Sequence, residues 1–442
     1  MASGSILSDS DPRGMLARSP MTARQVLAIA ICVLLNALDG FDVLSISFAS
    51  PGIAREWGID RAALGIVLSM ELIGMAVGSV LLGQVADRIG RKATTLGCLV
   101  VMALGMLSTT QVASPGALAV TRLITGFGIG GMLATTNALV AEYANDKWRG
   151  AAVAIMAAGY PMGAIAGGSI ASALLATGGW RQVFFLGAGM TALFLPLLPL
   201  LLPEPVSALL YRRKGDVLPQ VNRSLRALGH AEVSALPPPD ADVQRAHLSE
   251  LFTRGMAPVT VLLTLGYFLH IMTFYFILKW VPKIVVDMGF PPSSAGGVLV
   301  WANVGGLIGG LLFSALSLRF SLRHLLIGFM LASVVMVAWF GQSPADLHRL
   351  SMAAAIGGFC TNAAVVGLYA LIAVSFPTAI RGGGTGFVIG IGRGGAALGP
   401  VVGGFLFQAG LSLPVVAAIM ACGSLLAALA LLLLPGRAAQ GH

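Results

Sequence analysis

Five charged side chains stand inside long apolar runs of this chain: Asp39, Asp42, Glu71, Arg122 and Arg393. A charge at membrane depth is expensive, so each carries a functional reading by default. Asp39 and Asp42 are three apart, which puts both carboxylates on one helix face with Asn36 and Leu35. Counted from the ends of their runs, Asp39 and Glu71 lie about ten residues deep, and Asp42 and Arg122 about six or seven. Their levels therefore overlap. Carboxylates in such surroundings can hold a proton and give it up as the surroundings change. Asp39 and Asp42 are the candidate proton-handling pair, with Glu71 a third member. The plain alternative is an ion pair to Arg122 that only holds helices together. The planar fork of Arg122 also suits a bidentate grip on a ligand carboxylate, and Arg393 is the alternative counter-ion. Walls for an aromatic ring would come from Tyr275 with Phe268, Phe274 and Phe276, from Trp301 and Asn303, and from Asn362 and Tyr369. Most aromatics in a helical bundle are packing residues. His270, the one histidine within an apolar run, fits either a proton relay or a hydrogen-bonded core position.

The elements that must position these residues follow from composition. Of 442 residues, 57% are hydrophobic and 10% charged, and the mean hydropathy is +0.88. A soluble domain carries roughly 25% charged residues, and a membrane-crossing helix needs about 20 mainly apolar ones. Twelve such runs read as spans: 24–49, 61–85, 93–112, 116–141, 151–175, 181–202, 257–281, 294–317, 323–341, 349–375, 383–408 and 413–434. With the N-terminus inside, nineteen Lys and Arg fall on the inner side. Six fall outside: Arg55, Arg61, Arg181, Lys279, Lys283 and Arg349. That asymmetry selects the orientation, and it makes the net charge of +9 a matter of topology rather than of nucleic-acid binding. The expected organisation is a cytoplasmic tail over 1–22, a six-helix half over 23–202 and a cytoplasmic loop over 203–255. A second half over 256–435 and a cytoplasmic tail over 436–442 complete it. Residues 1–22 lack the apolar core of a cleavable signal. Cys32, Cys98, Cys360 and Cys422 lie singly in apolar runs, which supports neither a disulfide framework nor a zinc site.

A weak internal repeat supports the division. Arg149-Gly150 opens span 5 and is followed by Gly159, Gly163 and Gly167-Gly168. Arg381-Gly382 opens span 11 and is followed by Gly395, Gly399-Pro400 and Gly403-Gly404. Matching Gly-rich helices in two halves are what repeat-built transporters show.

Between spans 2 and 3 the chain reads Gly83-Gln-Val-Ala-Asp87-Arg88-Ile-Gly90-Arg91-Lys92. This resembles the loop signature G-x-x-x-D-R-x-G-R-[RK] of the major facilitator superfamily. Leu38-Asp39-Gly40-Phe41-Asp42 resembles the D-G-[FY]-D signature of the aromatic acid:proton symporters within it. Arg122 through Gly131 to Glu142-Tyr143 and Arg149-Gly150, Trp280-Val281-Pro282, and Phe376-Pro377 through Arg381 to Gly399-Pro400 are similar to that family too. The resemblance implies an all-α membrane protein of twelve transmembrane helices, in two six-helix halves with 3+3 inverted repeats. It implies conformational switching through Gly83, Asp87, Arg88, Gly90, Arg91 and Lys92, with Glu142, Arg149 and Arg381. The implied activity is proton-coupled uptake of a small organic anion, an aromatic carboxylate such as a hydroxybenzoate, by alternating access. Asp39, Asp42 and Glu71 would couple the proton. Arg122, Arg393, Tyr275, Asn303, Trp301, Tyr369 and His270 would bind the substrate. A symporter of a non-aromatic organic acid and a drug:proton antiporter remain open. The pattern G-x-x-x-G-P-x-x-G-G of antiporters occurs here in span 11, whereas its usual place, span 5, holds Tyr160-Pro161. An enzyme is disfavoured, since neither H-E-x-x-H nor G-x-S-x-G occurs. The expected setting is a monomer in the inner membrane with both termini cytoplasmic. No cofactor or metal is expected, the proton being the coupling ion.

Overall fold

The structure, a computed structural model, describes residues 11–212, 216–238, 248–377 and 380–435. Residues 1–10 of the 1–22 tail, the 436–442 tail, and positions 213–215, 239–247 and 378–379 lie outside the described residues. Twelve helices are long and apolar enough to cross a membrane. They are α1 (Ala23–Trp57), α2 (Arg61–Ile89), α3 (Arg91–Thr109), α4 (Pro115–Tyr143), α5 (Arg149–Thr177) and α6 (Arg181–Leu201). The rest are α7 (Ala257–Asp287), α8 (Pro292–Leu316), α9 (Leu322–Gln342), α10 (Leu347–Ser375), α11 (Arg381–Gln408) and α12 (Leu413–Leu432). No strand occurs among the described residues. In hydrocarbon every backbone group must be satisfied within its own segment, which leaves the helix as the element for these runs.

The helix starts are written locally. Thr22 and Gln25 form a reciprocal capping box at α1. Asp60, Ser114 and Asp346 cap α2, α4 and α10 through their side chains. Two helices run further than their apolar patterns suggest. α1 continues through Pro51 to Trp57, and α7 continues through Pro282 to Asp287. Proline reads as a stop signal in a soluble helix, but packed neighbours re-satisfy the freed carbonyl in a membrane bundle. The extension of α7 moves Lys279 from an expected outer position to a fully buried one.

The two sets of six helices pack alike. In the first, α2 lies on α4, α1 on α5, and α3 on α4 and α6; in the second, α8 lies on α10, α7 on α11, and α9 on α10 and α12. The same device closes the corresponding seams. A Cβ at Gly78 or Gly130 would strike a backbone carbonyl across the α2–α4 seam, and one at Gly309 or Gly358 would do so across α8–α10. Small residues of this kind let helix backbones approach directly.

The halves meet through α2 against α11 and α5 against α8. Their close approaches lie at the bundle end away from the chain termini, here the far end. A Cβ on Gly65 would sit 2.6 Å from the Pro400 carbonyl, and one on Gly168 would sit 3.1 Å from Val300. Ser69 donates to the Ala397 carbonyl at 2.6 Å, and Arg61 pairs with Asp287 at 3.2 Å. Toward the terminal end the same helices diverge. Gly83 on α2, Gly150 on α5, and Gly382, Gly386 and Gly390 on α11 have nothing within 4 Å of an added Cβ. The bundle is closed at the far end and open toward its termini. Beyond the seal, the far end carries a shallow bowl of about 1380 Å³, with Arg61, Trp180, Lys283, Asp287 and Phe407 in its walls.

Candidate functional site

Five charged residues gather at one level of the interior, all without solvent exposure: Asp39, Asp42, Glu71, Arg122 and Lys279. Asp39 and Asp42 share a face of α1, as their spacing requires. Both oxygens of Asp39 are buried without a hydrogen-bond partner. Asp42 has one orphaned oxygen, Oδ1, while Oδ2 meets the Thr191 hydroxyl at 3.5 Å. Buried polar groups are nearly always paired, so two such carboxylates side by side mark a place where something else binds or leaves.

Glu71 is the hub of the cluster. Its Oε1 takes the Arg122 guanidinium in a buried ion pair, and its Oε2 faces Lys279 Nζ at 3.4 Å. Arg122 also donates to the Asp42 backbone carbonyl at 3.1 Å and to Met106 Sδ at 3.0 Å, and it lies 5.2 Å from the centre of the Phe184 ring. Its ionic partner is thus Glu71. Lys279 also donates to the Val43 carbonyl. Sequence reasoning missed it, because Lys279-Trp280-Val281-Pro282-Lys283 reads as the wet end of a span. The available signal was Ile284-Val285-Val286, which restores the apolar run beyond the proline.

Nearer the terminal opening lies an aromatic group. The Tyr267 and Tyr369 hydroxyls are 3.0 Å apart. Tyr275 interacts with Tyr160, Tyr369 and Arg393, and Tyr267 also interacts with Arg393. Two polar atoms here are buried and unpartnered, Tyr160 Oη and Arg393 Nη1. A guanidinium close enough to Tyr267 and Tyr275 to act on them, with a donor unused, can receive the carboxylate of a ring-bearing ligand. Tyr160 comes from the first half, and Tyr267, Tyr275, Tyr369 and Arg393 from the second, so this group spans the division. Tyr160 and Tyr267 were not among the expected binding residues.

Three expected binding residues stand elsewhere. Trp301 is 53% exposed, on the same α8 face as Ile308 and Leu312, and turns outward with them. Asn303 spends its amide on its own helix, donating to the Leu299 carbonyl at 2.9 Å. His270 has both ring nitrogens engaged, Nδ1 with Ser424 Oγ at 2.9 Å and Nε2 with the Thr361 carbonyl at 3.0 Å. The carbonyl can only accept, so Nε2 carries the proton, and the ring bridges α7, α12 and α10.

The expected switch residues cluster at the terminal end. Gly90, at φ +114°, joins α2 to α3. Glu204 accepts from the backbone N–H groups of Arg91 at 2.8 Å and Lys92 at 3.3 Å, an anion at a helix N-terminus. A side chain at Gly90 would strike Glu204 and Arg212. Arg91 pairs with Glu142, Arg149 pairs with Asp146 at 2.9 Å, and Arg381 donates to the Phe376 carbonyl at 3.3 Å. Asp87 and Arg88 stand exposed beside the mouth.

A twelve-helix bundle in two halves, with charges and aromatics buried between them and one end open, has the build of a membrane transporter. The family model of the Major Facilitator Superfamily matches residues 30–343 and 263–442, and the chain belongs to that family. It is 30% identical to the gallate transporter of Pseudomonas putida, over 98% of this chain and 95% of that one. It is 31% identical to the 3-(3-hydroxy-phenyl)propionate transporter of Escherichia coli K12, over 95% and 96%. It is 29% identical to the 4-hydroxybenzoate transporter of Pseudomonas putida, over 92% of each. Among solved structures, the D-xylose-proton symporter superposes with a TM-score of 0.74 at 18% identity, over 94% of this chain and 99% of that one. At that identity the likeness speaks for the fold alone. The chain is a multi-pass membrane transporter, not an enzyme.

Proposed function

We propose that this protein takes up an aromatic carboxylate together with protons, by alternating access. The observation that carries the reading is Arg393, its Nη1 buried and unpartnered near Tyr267 and Tyr275, which in turn interact with Tyr369 and, across the halves, with Tyr160. An aromatic anion satisfies both parts of that environment: the guanidinium takes the carboxylate, and the rings take the ring. The similarity to transporters named for gallate, 4-hydroxybenzoate and 3-(3-hydroxy-phenyl)propionate supports the substrate class. Arg393, Tyr275 and Tyr369, with Tyr160 and Tyr267 added, are the binding residues of this reading. Arg122, already held by Glu71, serves the coupling group instead.

Proton coupling is assigned to Asp39 and Asp42, with Glu71 linking them to the basic residues. Asp39, with neither oxygen partnered, is the carboxyl that can change its proton without breaking a bond. Coupling requires that proton and anion each bind the two states with different affinity. The terminal end is assigned to the cytoplasm of an inner membrane, because Lys and Arg concentrate there. The present arrangement is then inward-facing. The protein acts as a monomer without a cofactor.

The test is uptake of radiolabelled 4-hydroxybenzoate into proteoliposomes under an inward proton gradient. Asp39→Asn should abolish gradient-driven accumulation while keeping substrate exchange across the membrane. Full accumulation by Asp39→Asn would remove the coupling assignment. Absence of uptake and of competition binding by aromatic acids would remove the substrate class.

A further inference from the structure

We propose that Lys279 is a latch that ties the coupling carboxylates of the first half to the closed state of the far end, through its pairing with Glu71. The proposal rests on the proton-coupled reading above and adds to it the residue by which a proton reaches the gate. Lys279 projects from α7, and both of its recorded partners, Glu71 Oε2 at 3.4 Å and the Val43 carbonyl, belong to the other half. It is fully buried. A buried ammonium that loses its partners is costly, so Lys279 favours the arrangement in which the halves touch at this level.

Glu71 divides its two oxygens between the halves. Oε1 serves Arg122 within the first half, and Oε2 serves Lys279 across the divide. A proton on Glu71 removes the charge that Lys279 needs, while Arg122 keeps the Asp42 carbonyl and the Phe184 face. The cross-half contact is therefore the one that weakens. The other titratable groups that interact electrostatically with Glu71 are Asp39 and Asp42 on α1, Tyr160 on α5 and Tyr275 on α7. On α3 the titratable group that interacts electrostatically with the cluster is Cys98, through Asp39. On α11 the neighbour at the level of Ser69 is the Ala397 carbonyl, and Arg393 lies one turn nearer the termini. Among the described residues, Lys279 is thus the one charge at this level that the second half contributes.

A second pair, Arg61 with Asp287, crosses the divide nearer the surface, and Lys283 shares that carboxylate. Both partners are about a third or more exposed, with side-chain exposures of 44% and 32%. Exposed pairs of this kind contribute little. The buried pair is the one able to govern the gate.

The experiment reads the gate without any substrate. Leu64 is fully buried at the far-end seal, so Leu64→Cys reacts with a membrane-impermeant maleimide applied from that side only when the seal opens. Rates are normalised to Ala345→Cys, an exposed position at the same end, which corrects for thiolate chemistry. In the otherwise native protein, labelling should rise as pH falls. Lys279→Met should label roughly tenfold faster, a shift of about 1.4 kcal/mol in the gate equilibrium, and should lose the pH response. Lys279→Arg should restore both rate and response. Adding Glu71→Gln to Lys279→Met should change nothing further. Glu71→Gln alone removes the pair from the other side and should also give fast, pH-independent labelling, which keeps the test open if Lys279→Met does not insert. Native rate and pH response in Lys279→Met or Glu71→Gln would overturn the latch, even where uptake is proton-driven. Altered labelling in a protein that takes up no aromatic acid would uphold the latch and count against the substrate reading alone.

Discussion

Arg122 and Arg393 are both arginines buried within spans, and their surroundings give them different work. Arg122 is enclosed, with Glu71 opposite, the Asp42 carbonyl and Met106 in reach, and Phe184 beneath. Removing one partner of a buried pair strands the other, at a cost of about 3–5 kcal/mol. Arg122→Ala should therefore lower the melting temperature of the detergent-solubilised protein. Arg393 has a donor to spare, so Arg393→Ala should leave the melting temperature nearly unchanged and abolish binding of aromatic acids in calorimetric titration. Arg393→Lys should recover charge but not the planar fork, and bind at least roughly tenfold more weakly than native. The reverse pattern, with Arg122→Ala stable but unable to bind, would return the ligand role to Arg122.

At the scale of elements, the loop between the halves docks on the first of them. The helix Val217–Leu228 presents its last carbonyls to the start of α1. Thr22 donates to the Leu228 carbonyl at 2.5 Å, and Arg24 donates to the Arg226 carbonyl at 2.7 Å, a cation at a helix C-terminus. His230 closes the contact, its Nε2 lying 3.0 Å from Gln25 Oε1. An amide oxygen can only accept, so the ring donates. Partial burial holds the His230 pKa below its ordinary value. A base with a depressed folded pKa binds more protons unfolded than folded, so its contribution is intact above the unfolded value of 6.5. It is lost as pH falls through 6.5 toward the lower folded value. A spin label at Ala227→Cys should become more mobile over that interval, and His230→Gln should flatten the change. Equal mobility at both ends of the interval would show that the docking does not depend on His230.

For the whole molecule, the far-end seal is a contact between backbones. Gly65 lies against the Pro400 carbonyl, and Gly404 against the Arg61 carbonyl, each with room for a Cβ only at 2.6 Å. Gly65→Val should block closure at that end without disturbing either six-helix half. Such a variant should bind substrate from the far side, fail to transport, and label rapidly at Leu64→Cys. Normal transport by Gly65→Val would mean that closure does not need this approach.

Much of this was legible in the chain itself. Apolar runs of membrane length fix the number of helices, because hydrocarbon admits few other solutions for the backbone. Local caps such as Thr22 with Gln25 and Asp60 write helix starts, and the three-residue spacing of Asp39 and Asp42 places two carboxylates on one face. The ends of α1 and α7 were less legible. A proline's effect depends on whether a neighbour can satisfy the carbonyl it frees, and that neighbour is distant in sequence. Lys279 was misplaced for that reason. Partnership was not legible at all. Arg122 could face Asp42 or Glu71, and nothing local distinguishes them; packing α2 on α4 brings Glu71 to it. Tyr160 and Arg393 come from helices in different halves, and only the meeting of those halves puts them around one space. The chain by itself determined what crosses the membrane and placed Asp39, Asp42, Glu71 and Arg122 at depth, since burial of apolar length is a local property. The tertiary structure decided which charge answers which, because pairing depends on separations of a few ångströms between residues far apart in sequence.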